Sequence, residues 1–240
     1  IKKVYMGLVM IYEDQRETIP VIQTSTGLEY DITTKIKNMV EFEKNVIGVV
    51  FKDSETTNQN IIQALNERYT VQPNLSLSNQ IAEDINVLLL NGINDSLNVE
   101  EEINLREYIS KGGNVFIAQN RINVNIQTQQ AQPIESNIFD ILNSYGLEIK
   151  ENLVLDKQCG KVNVQQQMGI FRMAVPMDYP FLPIVNKFNN NDIIVNNLES
   201  MSLIFVSEIK SDSVYSDNLM EFVPLLFTSN SSTSMTSFYN

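Results

Sequence analysis

The chain has 240 residues, 43% of them hydrophobic, which is enough for a real core in one large or two small domains. A formal net charge of -12 with no basic cluster argues against nucleic acid and anionic lipid surfaces, and no segment approaches the ~20 apolar residues of a membrane helix. With His 0, the chain cannot build Ser-His-Asp or Cys-His nucleophile systems or histidine-containing zinc sites, and Cys159 alone forms neither an internal disulfide nor a cysteine metal cluster.

The sequence begins at Ile1 inside a strand-like run, which reads as a processed or excised piece of a longer chain. Residues 4–12 and 18–23 predict an opening β-hairpin turned at Glu13–Arg16. Thr26 to Glu29 has capping-box spacing, and Leu28, Ile32, Ile36 and Met39 recur at helical intervals, so a helix is predicted over 28–40. Residues 46–51 read as a buried strand. The next helix turns Ile61, Ile62, Leu65 and Tyr69 inward, and a short strand follows over 71–75.

Residues 84–119 carry the architecture. Val87 to Leu90 and Val115 to Ala118 are apolar runs without alternation, the pattern of strands covered on both faces. Between them Asn98 can cap a helix with Glu100, Glu101 and Glu102 in its first turn, and Val99, Ile103, Tyr108 and Ile109 approximate an inward stripe. Lys111 suits the negative helix end, and Gly112 or Gly113 supplies a left-handed exit. Together these make one right-handed β-α-β crossover.

Residues 120–133 are polar and rich in Gln and Asn, reading as a long surface loop or projecting ribbon, with a ligand-covering flap as the sharper alternative. Helical spacing returns at Ile138, Ile141, Leu142 and Tyr145 and stops at Gly146. Beyond Leu147, short strands are predicted at 153–155, 162–164, 169–175, 193–195 and 203–206, and 228–240 has linker composition. The fold class is thus α/β: a three-layer Rossmann- or flavodoxin-like, mostly parallel sheet with an N-terminal β-hairpin and a β-rich C-terminal extension. The expected organisation is an amidotransferase-like α/β domain over 1–150, the extension over 151–228, whether in the same domain or a separate lobe, and a flexible linker over 229–240.

Open α/β sheets bind ligands at the carboxyl ends of their strands. Here those ends carry Lys52, Asp53 and Ser54, then Asn91, Asn94 and Asp95, then Asn120 and Arg121, a polar rim able to hold a sugar hydroxyl or a peptide. Polar strand ends are also ordinary in this fold class. Gly112-Gly113 precedes a strand, whereas a dinucleotide or phosphate loop must follow a strand and open a helix, so no nucleotide cofactor is expected. Residues 91–98 lack the acidic spacing of a calcium loop, and no metal is expected. Glu100 to Glu102 read more simply as a first turn that satisfies the helix dipole. An amidotransferase of this fold would place cysteine in a strand-to-helix elbow, where this chain has Leu90-Asn91-Gly92.

The order of motifs VYMGLVMIYEDQRETIPVI, GLEYDITTKIKNM, DINVLLLNG with YISKGGNVFIA, ENLVLDKQCG, PIVNKF, LIFVSEI and PLLFTS resembles the auxiliary component of gliding-motility-type ABC transporters, the GldG-like family. The resemblance covers nearly the whole chain. It implies an extracytoplasmic domain tethered by membrane helices outside this chain, working beside a permease and an ATPase. It also implies a fold shared with an intraflagellar-transport protein and related to the amidotransferase-like α/β class, for which sugar binding has been suggested. No family catalytic residues are transferred. Relatives often have an acidic residue after the Gly-Gly strand; this chain has Gln119 and Asn120 there.

The leading expectation is a non-catalytic extracytoplasmic module of an ABC transport assembly that docks to membrane partners or binds a glycan or peptide. The alternatives are a free-standing carbohydrate-binding α/β domain, and a hydrolase using carboxylates such as Asp53 or Asp95.

Overall fold

A computed structural model describes residues 6–22, 24–25, 27–41, 43–52, 59–168, 171–196, 198–211 and 221–236. By internal contacts the chain divides into two compact units, residues 1–91 with 99–117, and residues 92–98 with 118–240.

The first unit opens with the antiparallel hairpin β1 (Leu8–Tyr12) and β2 (Gln15–Ile19), closed by a tight turn in which Glu13 takes φ 50. Helix α1 (Leu28–Val40) packs on the hairpin and buries Met39. Its N-cap is Gly27 at φ 76 with no side-chain cap, and the Thr26 of the expected capping box lies outside the described residues.

Next come β3 (Val46–Phe51), α2 (Gln59–Asn66), β4 (Thr70–Gln72), β5 (Ile85–Asn91), α3 (Val99–Ser110) and β6 (Asn114–Ala118). The strands form a parallel sheet in the order β4-β3-β5-β6. Val49, Leu88 and Leu90 are fully buried, as unalternating apolar strands require, but β6, expected to be covered on both faces, leaves Phe116 61% exposed and buries none of its residues, being at the end of the sheet order. Leu65 and Tyr69 pack on Ile47, Val49 and Leu89, but Ile61, expected inside, is exposed.

In α3 the inward stripe also differs from expectation. Val99 and Ile103 are 75% and 56% exposed, while Glu101, Leu105 and Tyr108 are buried. Positions i, i+4 and i+7 form one helical face, and burial of Glu101 on that face becomes tolerable because Lys52 meets its carboxylate. The helix ends in a Schellman motif: the Gly113 N–H donates to the Tyr108 carbonyl, the Gly112 N–H donates to the Ile109 carbonyl, and Gly112 sits at φ 86. Gly113 is required for a different reason, since a Cβ there would collide with the Tyr108 ring.

The second unit contains β7 (Ile122–Asn125), β8 (Gln130–Pro133), α4 (Ile138–Ser144), β9 (Leu147–Ile149), β10 (Leu153–Asp156), β11 (Cys159–Met168), β12 (Phe171–Val185), β13 (Lys187–Phe188), β14 (Met201–Ser202), β15 (Ile209–Ser211), β16 (Leu226–Phe227) and β17 (Ser232–Met235). The polar 120–133 segment is a ribbon, β7 paired with β8, whose alternating Ile122 and Val124 face a core with Leu153 and Phe205. Strands β11 and β12 form a long antiparallel hairpin.

Two expected strands are not formed. Over 193–195 the Asp192 carboxylate accepts the Ile194 N–H at 2.9 Å, a side-chain turn that competes with extended backbone. Over 203–206 the Leu203 and Phe205 N–H groups bond to the carbonyls of Pro183 and Phe181, but Phe205 at φ 51 breaks the ladder. The expected linker over 229–240 includes β17, which pairs with β10 and sets Met235 against the Ile122–Leu153–Phe205 core. A Ser/Thr-rich composition is no bar to a strand once an edge is offered to it.

Candidate functional site

In the first unit, the carboxyl ends of the parallel strands hold Lys52 and Asn91. Lys52 follows β3 directly, and its Nζ lies 2.6 Å from Glu101 Oε2, with side chains 25% and 9% exposed. Glu101 therefore does more than complement the dipole of its helix. Asn91 ends β5, half-buried and in parallel register with Phe51. Asp53 lies outside the described residues.

Ser54 likewise lies outside the described residues, and Asn94, Asp95, Asn120 and Arg121 belong to the second unit, in and around a braced loop. Gly92 at φ 66 donates its N–H to the Ala118 carbonyl, and the Ile93 N–H donates to Gln119 Oε1 at 2.7 Å. Gln119 Nε2 in turn donates to Asn94 Oδ1 at 3.3 Å and to the Asn120 carbonyl at 2.9 Å. Asn137 grips the other end of the loop, accepting the Leu97 N–H at 2.8 Å and donating to the Leu97 carbonyl at 3.0 Å. The Ser136 hydroxyl donates to the Asp95 carbonyl.

Arg121 is a second clamp. Its guanidinium lies 4.1 Å from the Phe139 ring centroid, donates to the Ile134 carbonyl and reaches Glu151 Oε2 at 3.2 Å. Thus Asn94 and Arg121 hold structure, while Asp95 and Asn120 are exposed. Gln119 and Asn137 are the bracing residues that sequence reading missed; their partners lie 26 and 40 positions away, beyond any local pattern.

A cavity of about 400 Å³ lies in the first unit at the opposite, amino ends of β5 and β6, beside the last turn of α3. Ile81 and Ile85 give it apolar wall, and Asn86, Asn104 and Asn114 contribute amides. Tyr108 donates its hydroxyl to the Ile85 carbonyl at 3.1 Å, and burial pushes its pKa up against the opposing bond to the Asn114 backbone. Lys111 lies 2.6 Å from Glu107 Oε1; that hydrogen bond holds its ammonium pKa above the usual value, with Glu83 adding in the same sense. Strand-end logic points only to the carboxyl ends. This concavity comes from residues 80–86 and 104–114, which only the crossover brings together. Among the described residues no group of Cys, Asp or Glu side chains is placed to hold a metal ion.

The chain is therefore a mixed α/β protein that couples a parallel four-stranded sheet to many antiparallel strands, with strand ends braced by amides. Residues 44–240 match the family model described as an ABC-type uncharacterized transport system, and the chain belongs to that family of ABC transporter auxiliary components. It is also similar to an uncharacterized protein of Borreliella burgdorferi (strain ATCC 35210 / DSM 4680 / CIP 102532 / B31), 31% identical over 168 residues, covering 66% of this chain and 33% of that protein. The matched region is about a third of that relative's length. No solved structure matches the chain. Among the described residues no helix is long and apolar enough to cross a membrane.

Proposed function

We propose that the chain is a non-catalytic, extracytoplasmic module of an ABC transport assembly with permease and ATPase subunits, docking to membrane partners or binding a glycan or peptide. Membership of the transport-system family over residues 44–240 carries this reading. A chain with His 0 also lacks the usual general base for hydrolysis near neutral pH. In this reading the module is held at the membrane by helices outside the present sequence, its parallel sheet has the three-layer Rossmann- or flavodoxin-like arrangement, and the assembly serves gliding motility as in GldG-like systems. Its candidate ligand-binding residues are Asp53 and Asn91 in the first unit and, in the second, Asn94, Asp95, Asn120 and Arg121, with exposed Asp95 and Asn120 offered to a glycan or peptide and Asn94 and Arg121 setting the loop that presents them.

The test is co-expression of the full-length parent with its cognate permease and ATPase. The proposal expects the three to co-purify as one complex, and the isolated chain to turn over no glycoside or amide. A permease–ATPase complex that assembles and transports equally well without the protein would overturn the docking role. Turnover abolished by Asp95→Asn would replace the module with a carboxylate hydrolase.

A further inference from the structure

We propose that the cavity at the amino ends of β5 and β6 is a binding site for a small ligand carrying a primary ammonium group. The lining side chains have hydrogen-bonding capacity and charge left to offer there, independently of any transport role.

Three of the four amides lining the cavity, those of Asn86, Asn104 and Asn114 but not Gln80, are fixed at one end by the backbone. Asn104 Nδ2 donates to the Leu77 carbonyl at 2.8 Å, and Asn114 Nδ2 donates to the Asn86 carbonyl at 3.1 Å. Both thereby keep an Oδ1 acceptor with no donor among the described residues. Asn86 is fixed the other way round, its Oδ1 accepting the Val46 N–H at 2.7 Å, which leaves its Nδ2 as donor. The part-buried bond of Asn104 sets its amide orientation, while Asn86 and Asn114 hold theirs through exposed bonds, so a ligand orders few side chains again.

Charge then decides which ligand fits. Glu83 and Glu107 both act on Lys111, which Glu107 holds at 2.6 Å, so the charged side chains lining the cavity keep one net negative charge. The last turn of α3 adds the negative end of its dipole. An anion entering here meets net negative charge. An ammonium meets the Glu83 carboxylate and the Oδ1 acceptors of Asn104 and Asn114, with Ile81 and Ile85 to receive a short alkyl stem. About 400 Å³ has room for on the order of ten non-hydrogen atoms at the ~30 Å³ share of a liquid water. The amide array thus suits a short aliphatic amine.

The experiment titrates the 240-residue chain with cadaverine, with pentane-1,5-diol of the same length, and with glutarate, reading heat and backbone amide NMR shifts. Cadaverine is expected to bind, shifting Asn86, Gly112, Gly113 and Asn114, with the diol at least about tenfold weaker and glutarate silent. Glu83→Gln changes an exposed loop carboxylate and is expected to leave the thermal midpoint unchanged while weakening cadaverine about tenfold. Asn104→Ala supplies a second readout, with weakened cadaverine binding expected. Equal binding of cadaverine and the diol, binding indifferent to Glu83→Gln, shifts confined to other residues, or no binding by any probe would each overturn the proposal. None of these outcomes bears on co-purification with transporter subunits, so the two readings fail separately.

Discussion

Asp156 offers the sharpest test of how the second unit is held together. The residue is 2% exposed at the end of β10, and its carboxylate accepts the Ser229 N–H at 2.7 Å, the Ser229 hydroxyl at 2.5 Å and the Gln158 N–H at 2.9 Å. It thereby ties the entry of β17 to the strand that β17 pairs with. Asp156→Asn preserves shape but removes the charge and turns an NH2 toward a donor. Hydrogen bonds to charged groups contribute about 1.5–3 kcal/mol each, but they share one carboxylate and do not add, so the expected loss is about 2–3 kcal/mol. At a urea m-value of about 2 kcal/mol/M the unfolding midpoint falls by about 1 M at pH 7.

The pH dependence has a fixed sign. Burial by itself raises the Asp156 pKa, but the Ser229 hydroxyl and the N–H groups of Gln158, Ser229 and Lys157 outweigh it and hold the carboxyl below its ordinary 3.8. The folded state binds this proton more weakly than the unfolded state does. The stabilisation is therefore complete above the ordinary value and lost as pH falls through the lower folded-state value. The gap between parent and Asp156→Asn should close over that window. Midpoints that coincide at pH 7, or a gap that persists through acid, would refute the reasoning.

Three further outcomes are expected. Glu101→Ala strands Lys52 and should cost about 1–3 kcal/mol in denaturant unfolding, discounted because Lys52 is a quarter exposed; the double variant Lys52→Met/Glu101→Leu should recover most of it. Gly113→Ala drives a Cβ into the Tyr108 ring and should lower stability by about 1–3 kcal/mol, with the near-ultraviolet tyrosine signal changing as the bond to Ile85 is disturbed. Arg121→Lys keeps the charge but loses the planar stack on Phe139, and thermal unfolding should show a loss of about 1–2 kcal/mol.

The sequence by itself determined the elements whose signal is local. The apolar runs of β3 and β5, the helical spacing of α1 and α4 and the Gly112 exit are local signals, and the chain forms these where periodicity and turn chemistry say; the opening hairpin also forms, but its turn is only Glu13-Asp14 and its second strand is Gln15–Ile19 instead of 18–23. Tertiary structure decided what depends on a distant partner. The inner face of α3 was settled by Lys52, which makes a buried Glu101 tolerable, and not by the hydrophobicity of Val99 and Ile103. A Ser/Thr tail became β17 because β10 offered an edge and Asp156 a carboxylate, 73 positions from Ser229. The rim followed the same rule. Strand-end logic marks Asn94 and Arg121 as polar positions, but that they brace a loop depends on Gln119, Phe139 and Glu151. The amide cavity lay outside that reading altogether, because a parallel crossover gathers at one sheet end residues that no sequence window contains together.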